Sequence, residues 1–200
     1  MDITRRNFLK IAGSALIFSF GTVHAASENI LIAYFSRIGE EYSLGTISKG
    51  NTAIVAEIIA EKTAGTLFEI KPVKKYPDNY KECTQIASKE KATNARPKFI
   101  GKIEDFSQYT TIFIGYPIWW GAYPMIIATF LESYDFSGKK IVPFCTHGGS
   151  GLSGTEQNIA LACPNAEILQ GFAIQGSIAQ KNRSKTESIV VENLNRLNFI

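Results

Sequence analysis

Three stretches of the chain carry residue types that could hold a ligand. The first is Ser36-Arg37, separated by a polar insert from Gly50-Asn51-Thr52. Hydroxyls, an amide and a glycine at the start of a helical pattern can cradle an anion, because backbone N–H groups and the helix dipole converge there. The same residues could serve only as helix caps. The second stretch is Tyr116-Pro117-Ile118-Trp119-Trp120-Gly121-Ala122-Tyr123-Pro124, which holds both tryptophans of the chain. Aromatic side chains in a Pro- and Gly-bounded loop suit a flat ligand. Packed over a sheet edge they would merely fill space. The third is Thr146-His147-Gly148-Gly149-Ser150-Gly151-Leu152-Ser153-Gly154. Its glycines let the backbone approach a ligand closely.

Other chemistries fit these residues poorly. Gly149 to Gly154 match G-x-G-x-x-G, but after the fourth strand of the pattern and not the first, which weakens a dinucleotide reading. His147-Gly148-Gly149 has the composition of an esterase oxyanion loop. Ser150 and Ser153 lack the G-x-S-x-G frame, however, and His147 precedes both serines. Beyond His24 near the amino terminus, His147 is the chain's remaining histidine, so a multi-histidine metal site is excluded. Cys83, Cys145 and Cys163 form no Cys-x-x-Cys pair. Cys145 and Cys163 could form a disulfide, or all three could be small buried residues.

The elements that must position these loops read as a regular alternation. Residues 30–36 are an apolar, β-forming run, and 53–61 have helical spacing. Strands follow at 66–70, 110–116, 140–145 and 167–174. Gly65 is placed as a helix stop before the second strand. Helices follow at 79–93, 125–133, 155–162 and 186–197, with Pro124 at the start of one. Residues 72–77 read as a loop and 96–107 as irregular. Pro143 is awkward inside a strand, since it cannot donate to a ladder. Strand and helix alternating in this way predict an α/β fold: a three-layer, doubly wound, five-stranded parallel sheet. Ligands in such folds bind outside the carboxyl ends of the strands, where all three stretches fall.

The amino terminus has a different character. Arg5-Arg6-Asn7-Phe8-Leu9-Lys10 precedes an apolar run over 11–20, and Val23-His24-Ala25 offers small residues for cleavage. Residues 1–25 resemble a twin-arginine export signal, leaving a domain over 26–200. This implies a periplasmic or extracellular protein. The apolar run is too short to span a bilayer, so the mature form is expected not to cross the membrane. The whole chain has 200 residues and a formal net charge of +3. Arg5, Arg6 and Lys10 outnumber Asp2 in the leader, so the remainder is closer to neutral. No basic stripe argues for a nucleic-acid partner.

Taken together, the three loops resemble those of the flavodoxin-like family. The carriers are residues 30–36 with Gly50-Asn51-Thr52, Tyr116-Pro117-Ile118-Trp119-Trp120-Gly121, and the glycine-serine loop at 146–154. Tyr76-Pro77-Asp78-Asn79-Tyr80 and Arg96-Pro97 resemble one branch of the family, and the likeness spans residues 29–198. The resemblance implies FMN as cofactor. Ser36, Arg37, Gly50, Asn51 and Thr52 would hold its phosphate. Pro117, Ile118, Trp119, Trp120, Gly121 and Ala122 would line the ring, with Trp119 favoured as the stacking residue. Thr146, His147, Gly148, Gly149, Ser150 and Gly151 would close its other side. It further implies electron transfer to a redox partner protein or small acceptor. Alternatives are an FMN-dependent NAD(P)H or quinone oxidoreductase, and a flavin-free binding module. The chain departs from the family in the insertion at 38–49, which includes Glu40, Glu41 and Tyr42. It also departs in its near-neutral charge, where electron carriers of the family are acidic.

Overall fold

The computed structural model describes residues 29–200, so the segment expected to be a twin-arginine export signal lies outside the described residues. Five parallel strands form the centre: β1 (Ile30–Tyr34), β2 (Thr66–Glu69), β3 (Thr111–Pro117), β4 (Lys140–His147) and β5 (Phe172–Gln175). Their order is β5-β4-β3-β1-β2. β1 lies between β2 and β3, with Leu31 beside Thr66 and Ile112. All five residues of β1 are buried, as a strand covered on both faces requires.

Alternation splits the core into two layers. Leu31, Ala33 and Phe35 face one apolar cluster; Ile30, Ile32 and Tyr34 face the other. The first is closed by α2 (Tyr80–Ala92), α3 (Met125–Ser133) and α4 (Thr155–Ala162). The second is closed by α1 (Asn51–Thr63), α5 (Gly176–Lys181) and α6 (Arg183–Arg196). The expected three-layer α/β architecture is therefore present.

Several local expectations need correction. The fifth strand is not continuous: Glu167–Ile168 pairs with Lys140 and Ile141, and pairing resumes only at Phe172. Pro143 sits opposite that gap, where its missing N–H costs nothing. Gly171 lies there too, and a Cβ on it would stand 2.6 Å from the Pro143 carbonyl oxygen. The closing helix at 186–197 is preceded by the unexpected α5. The turn that stops α1 is made by Ala64, at φ 53°, and not by Gly65. Gly65 is required because a Cβ there would overlap Ile30 and Ile32. The 38–49 insertion folds as an antiparallel hairpin, Gly39–Glu41 with Gly45–Ile47. Lys71–Pro72 and Phe99–Ile100 form a second small antiparallel pair where loop was expected. Cys83, Cys145 and Cys163 are all free and buried, so the disulfide is not formed.

Candidate functional site

The strand order reverses at β1 and β3, and the loops leaving their carboxyl ends diverge around a crevice. Together with the loops after β4 and β5, the hairpin and α2, they enclose a cavity of about 320 Å³.

The first loop delivers Ser36 to the start of α1, where the leading N–H groups lack intrahelical acceptors. Ser36 Oγ accepts the Ala53 N–H at 3.1 Å. Gly50 lies so close beneath it that a Cβ would overlap Ser36 Oγ and stand 2.5 Å from the Arg37 carbonyl oxygen. Asn51 lines the cavity, and its Oδ1 is buried without a hydrogen-bond partner. The hydroxyls of Thr52 and Thr146 are buried and meet at 2.8 Å, tying the first loop to the third.

The second loop is tied to the third by the Ile118 N–H, which donates to the Thr146 carbonyl at 2.8 Å. Trp119 and Ala122 exchange backbone hydrogen bonds, with Trp120 and Gly121 at positive φ between them. This tight turn sends the two indoles to different environments. Trp119 packs edge-on against Phe35 and Tyr76, at centroid distances of 5.3 and 5.0 Å. Trp120 is 58% exposed, and its Nε1–H donates to the Thr84 carbonyl of α2. Both line the cavity. Trp119→Ala should therefore cost about 2–4 kcal/mol in thermal unfolding, as expected when a large aromatic leaves a core. Trp120→Ala should cost less than about 1 kcal/mol. Equal losses would contradict this division.

In the third loop, His147 Nδ1 accepts the Gly149 N–H at 2.9 Å. The neutral ring then carries its proton on Nε2, as a donor. Burial lowers the His147 pKa below its ordinary value, which keeps the ring neutral near pH 7.

The hairpin spans the mouth of the cavity. Tyr42 lies 3.4 Å from where a Cβ on Gly148 would stand, and its ring is 6.3 Å from that of Tyr80 on α2. Arg37 is buried beneath the hairpin. It donates to the carbonyls of Glu40, Pro77 and Asp78 and pairs with Glu41 at 2.8 Å. Glu40 caps α2, accepting from Tyr80 N and Asn79 Nδ2 at 2.9 Å each. Burial raises the Glu41 pKa, and Arg37 pulls it back. Burial also pushes the Cys83 thiol up to about 11, so it stays protonated and unreactive.

Of the expected residues, Arg37, Asn51, Pro117, Ile118, Trp119, Trp120, Thr146, His147 and Gly148 line the cavity. Ser36 and Gly50 stand together at the start of α1, next to Asn51, whereas Thr52, expected to hold a phosphate, instead has its buried hydroxyl paired with that of Thr146. Gly121, Ala122, Gly149, Ser150 and Gly151 do not line the cavity; Gly121, Gly149 and Gly151 adopt positive φ in the loops concerned. Arg37 is a correction. It borders the cavity, but its guanidinium is committed to carbonyl oxygens and Glu41 and is not free for a phosphate. The wall also contains Tyr42, Ser43 and Leu44 of the hairpin, Cys83, Thr84 and Ala87 of α2, and Gln175-Gly176-Ser177. The insertion signalled the first group. Nothing in the α2 pattern distinguished cavity residues from core.

The comparisons with known proteins agree with this geometry. A flavodoxin family model matches residues 29–189. The chain belongs to the flavodoxin family. Among solved structures, a candidate flavoprotein from Bacteroides uniformis is 32% identical, with a TM-score of 0.67, covering 82% of this chain and 98% of that one. One from Bacteroides eggerthii is 28% identical, with a TM-score of 0.65, covering 85% and 98%. A Lactobacillus acidophilus flavoprotein solved in complex with FMN is 21% identical, with a TM-score of 0.59, covering 75% and 94%. No curated protein matches the sequence.

Proposed function

We propose that this flavodoxin-family chain binds FMN in the cavity and transfers electrons outside the cytoplasm, to a redox partner protein or a small acceptor. The observation that carries the cofactor assignment is Asn51 Oδ1, a buried acceptor without a partner at the start of α1. An unsatisfied buried acceptor is costly, and a hydroxyl-bearing ligand removes that cost. The ribityl chain of FMN is such a ligand. Gly176 leaves room for Asn51 and nothing more, since a Cβ there would stand 2.5 Å from its Nδ2. The Bacteroides likenesses and the FMN complex of the Lactobacillus protein support the same reading.

The chain's own residues have definable tasks. The Ser36 hydroxyl and the first N–H groups of α1 hold the phosphate. Arg37 is committed elsewhere, so the dianion is met by neutral donors and the helix dipole. Trp120 and Tyr42 shield the ring from water. His147 offers an Nε2–H donor at the cavity wall. FMN, once bound, supplies one- and two-electron chemistry that no side chain here can supply.

Export rests on the twin-arginine leader. A cofactor protein has reason to fold before crossing a membrane. The enzyme reading, an FMN-dependent NAD(P)H or quinone oxidoreductase, is favoured by one feature. Tyr42 and Tyr80 are 64% and 40% exposed at the mouth, an aromatic rim suited to a flat substrate.

The test is a spectrum and two titrations. Protein from the extracytoplasmic fraction should show flavin absorbance, and Arg5→Lys/Arg6→Lys should abolish its appearance there. Added FMN should quench tryptophan emission and bind at least about tenfold tighter than riboflavin, which lacks the phosphate. A colourless protein that takes up neither ligand would be the flavin-free module instead.

A further inference from the structure

A second concavity lies on an adjoining side of α2. It has a volume of about 500 Å³ and is bordered by Val73, Lys74, Tyr76, Ile86, Lys89 and Lys98 among others. Lys74, Lys89 and Lys98 are exposed, and none of them forms an ion pair among the described residues. Lys75 and Arg96 add to the rim, although Lys75 pairs with Asp78 and Arg96 with Glu132. One carboxylate, Glu90, lies within the concavity. It accepts from the Tyr76 hydroxyl at 2.8 Å, and burial holds its pKa above the usual range. Two large apolar side chains stand exposed on the adjoining strand pair and its approach, Ile100 at 57% and Val73 at 60%. An overall charge of only +3 therefore conceals a strongly cationic face.

Lysines at a sheet edge often serve to block strand pairing. That explanation fits Lys71 on the short strand pair. It fits Lys98 in part, since its carbonyl accepts the Val73 N–H at the end of that pair at 2.9 Å; it does not fit Lys89 on α2 or Lys74 in the loop that follows Val73. A concave basic rim around exposed apolar side chains has the anatomy of a docking surface, with an apolar centre and a charged periphery.

Its position links it to the cavity. α2 turns Tyr80, Cys83, Thr84 and Ala87 towards the cavity and Ile86, Lys89 and Glu90 towards the basic concavity. Trp120 is fastened to the same helix twice, by its Nε1–H to the Thr84 carbonyl and by Lys91 Nζ to its own carbonyl at 2.6 Å. The two sites thus lie on adjoining sides of the same helix, about a third of a turn apart around its axis.

We propose that this basic face of α2 and the 71–75 and 96–100 segments docks an acidic electron-transfer protein, placing it beside the exposed edge at Trp120. The docking surface stands on its own charge and shape; its redox meaning rests on the FMN reading. The partner's sign is opposite to that expected for an acidic carrier, which would dock a basic protein. A membrane or nucleic acid would also carry negative charge. The concavity favours protruding carboxylate side chains over a flat lipid surface, and the exposed Val73 and Ile100 favour protein over a phosphate backbone.

The experiment titrates the FMN-loaded full chain against a fluorescently labelled, acidic plant-type ferredoxin and a basic cytochrome c. Ferredoxin should bind, and its affinity should fall at least about tenfold as the salt concentration rises from about 20 to 200 mM. Lys74→Glu/Lys89→Glu/Lys98→Glu should weaken it at least tenfold further, and the triple Ala variant should weaken it less. Lys185→Glu, on α6, should leave it unchanged. FMN affinity, measured separately on each variant, should not change. The full chain without added FMN is titrated in parallel, so failure of FMN uptake would overturn the cofactor reading while leaving the ferredoxin titration of that chain interpretable. Tighter binding of cytochrome c, an affinity indifferent to the triple variant, or stronger capture of phosphatidylserine vesicles or single-stranded DNA would each overturn the acidic-protein proposal.

Discussion

Arg37→Ala should destabilise the protein by about 3–5 kcal/mol and release the 38–49 hairpin. Removing one member of a buried ion pair leaves the other uncompensated, at about that cost. Here the loss is compounded. The guanidinium also satisfies the carbonyls of Glu40, Pro77 and Asp78, at 2.6, 2.9 and 2.7 Å. Those oxygens would be left to water or to nothing, and the hairpin would lose its attachment to the turn before α2. The checks are thermal unfolding and amide exchange of residues 39–47, whose protection should fall selectively. The pH dependence gives a second signature. Burial already raises the Glu41 pKa, and loss of Arg37 raises it further. A carboxyl whose folded pKa exceeds its unfolded one binds more protons in the folded state. Stability then rises as pH falls through the folded pKa. The variant should therefore recover part of its loss below neutral pH, more than the unaltered chain does. Unchanged hairpin protection, with an unchanged unfolding temperature, would show that the hairpin is held by something else.

This residue also marks the limit of what the sequence discloses. Adjacent to Ser36 in an anion-binding loop, an arginine looks like a phosphate ligand. Besides Glu40 and Glu41 close by, it is held by backbone carbonyls about forty positions away, and no periodicity or motif encodes such a meeting. The sheet was more legible, because burial on both faces writes itself as apolar runs at 30–36 and 110–116. The helix at Met125–Ser133 was legible for the complementary reason, with Pro124 at its start and a dense apolar pattern. The fifth strand reads as continuous in the sequence because its interruption at 169–171 is dictated by Pro143 on the neighbouring strand. The cavity wall divides in the same way. Loops with biased composition, such as 117–120 and 146–148, declare themselves. Cys83, Thr84 and Ala87 reach the cavity through the packing of α2, and their spacing is that of any buried helix face. The tryptophans illustrate an intermediate case. Their adjacency predicts opposite directions, but the choice between them follows from Phe35 and Tyr76, which claim Trp119 for the core. Trp120, not Trp119, is left exposed at the cavity.

Gly50→Ala should reduce FMN affinity at least about a hundredfold while lowering riboflavin affinity far less. A Cβ at this position would overlap Ser36 Oγ and stand 2.5 Å from the Arg37 carbonyl oxygen and 3.1 Å from the Arg37 nitrogen. Backbone atoms cannot yield as the tip of a long side chain can, so the loop itself must move. The strain is steric and not conformational, since Gly50 has φ −70° and ψ 147°, open to any residue. Moving the loop displaces Ser36 from the start of α1, where its Oγ meets the Ala53 N–H. The phosphate then loses a hydroxyl donor and the alignment of the first N–H groups together. Hydrogen bonds to a charged group are worth about 1.5–3 kcal/mol each, and two such losses exceed two decades in affinity. Riboflavin has no phosphate and makes neither contact. Thr52→Ala provides the graded comparison. Its hydroxyl is buried against Thr146 at 2.8 Å, so it should loosen the joint between the first and third loops and weaken both flavins alike. The measurement is a paired FMN and riboflavin titration on each variant, with circular dichroism to confirm the fold. If Gly50→Ala weakened both ligands equally, the loop would be positioning the ring and not the phosphate. The anion cradle at the start of α1 would then have to be abandoned.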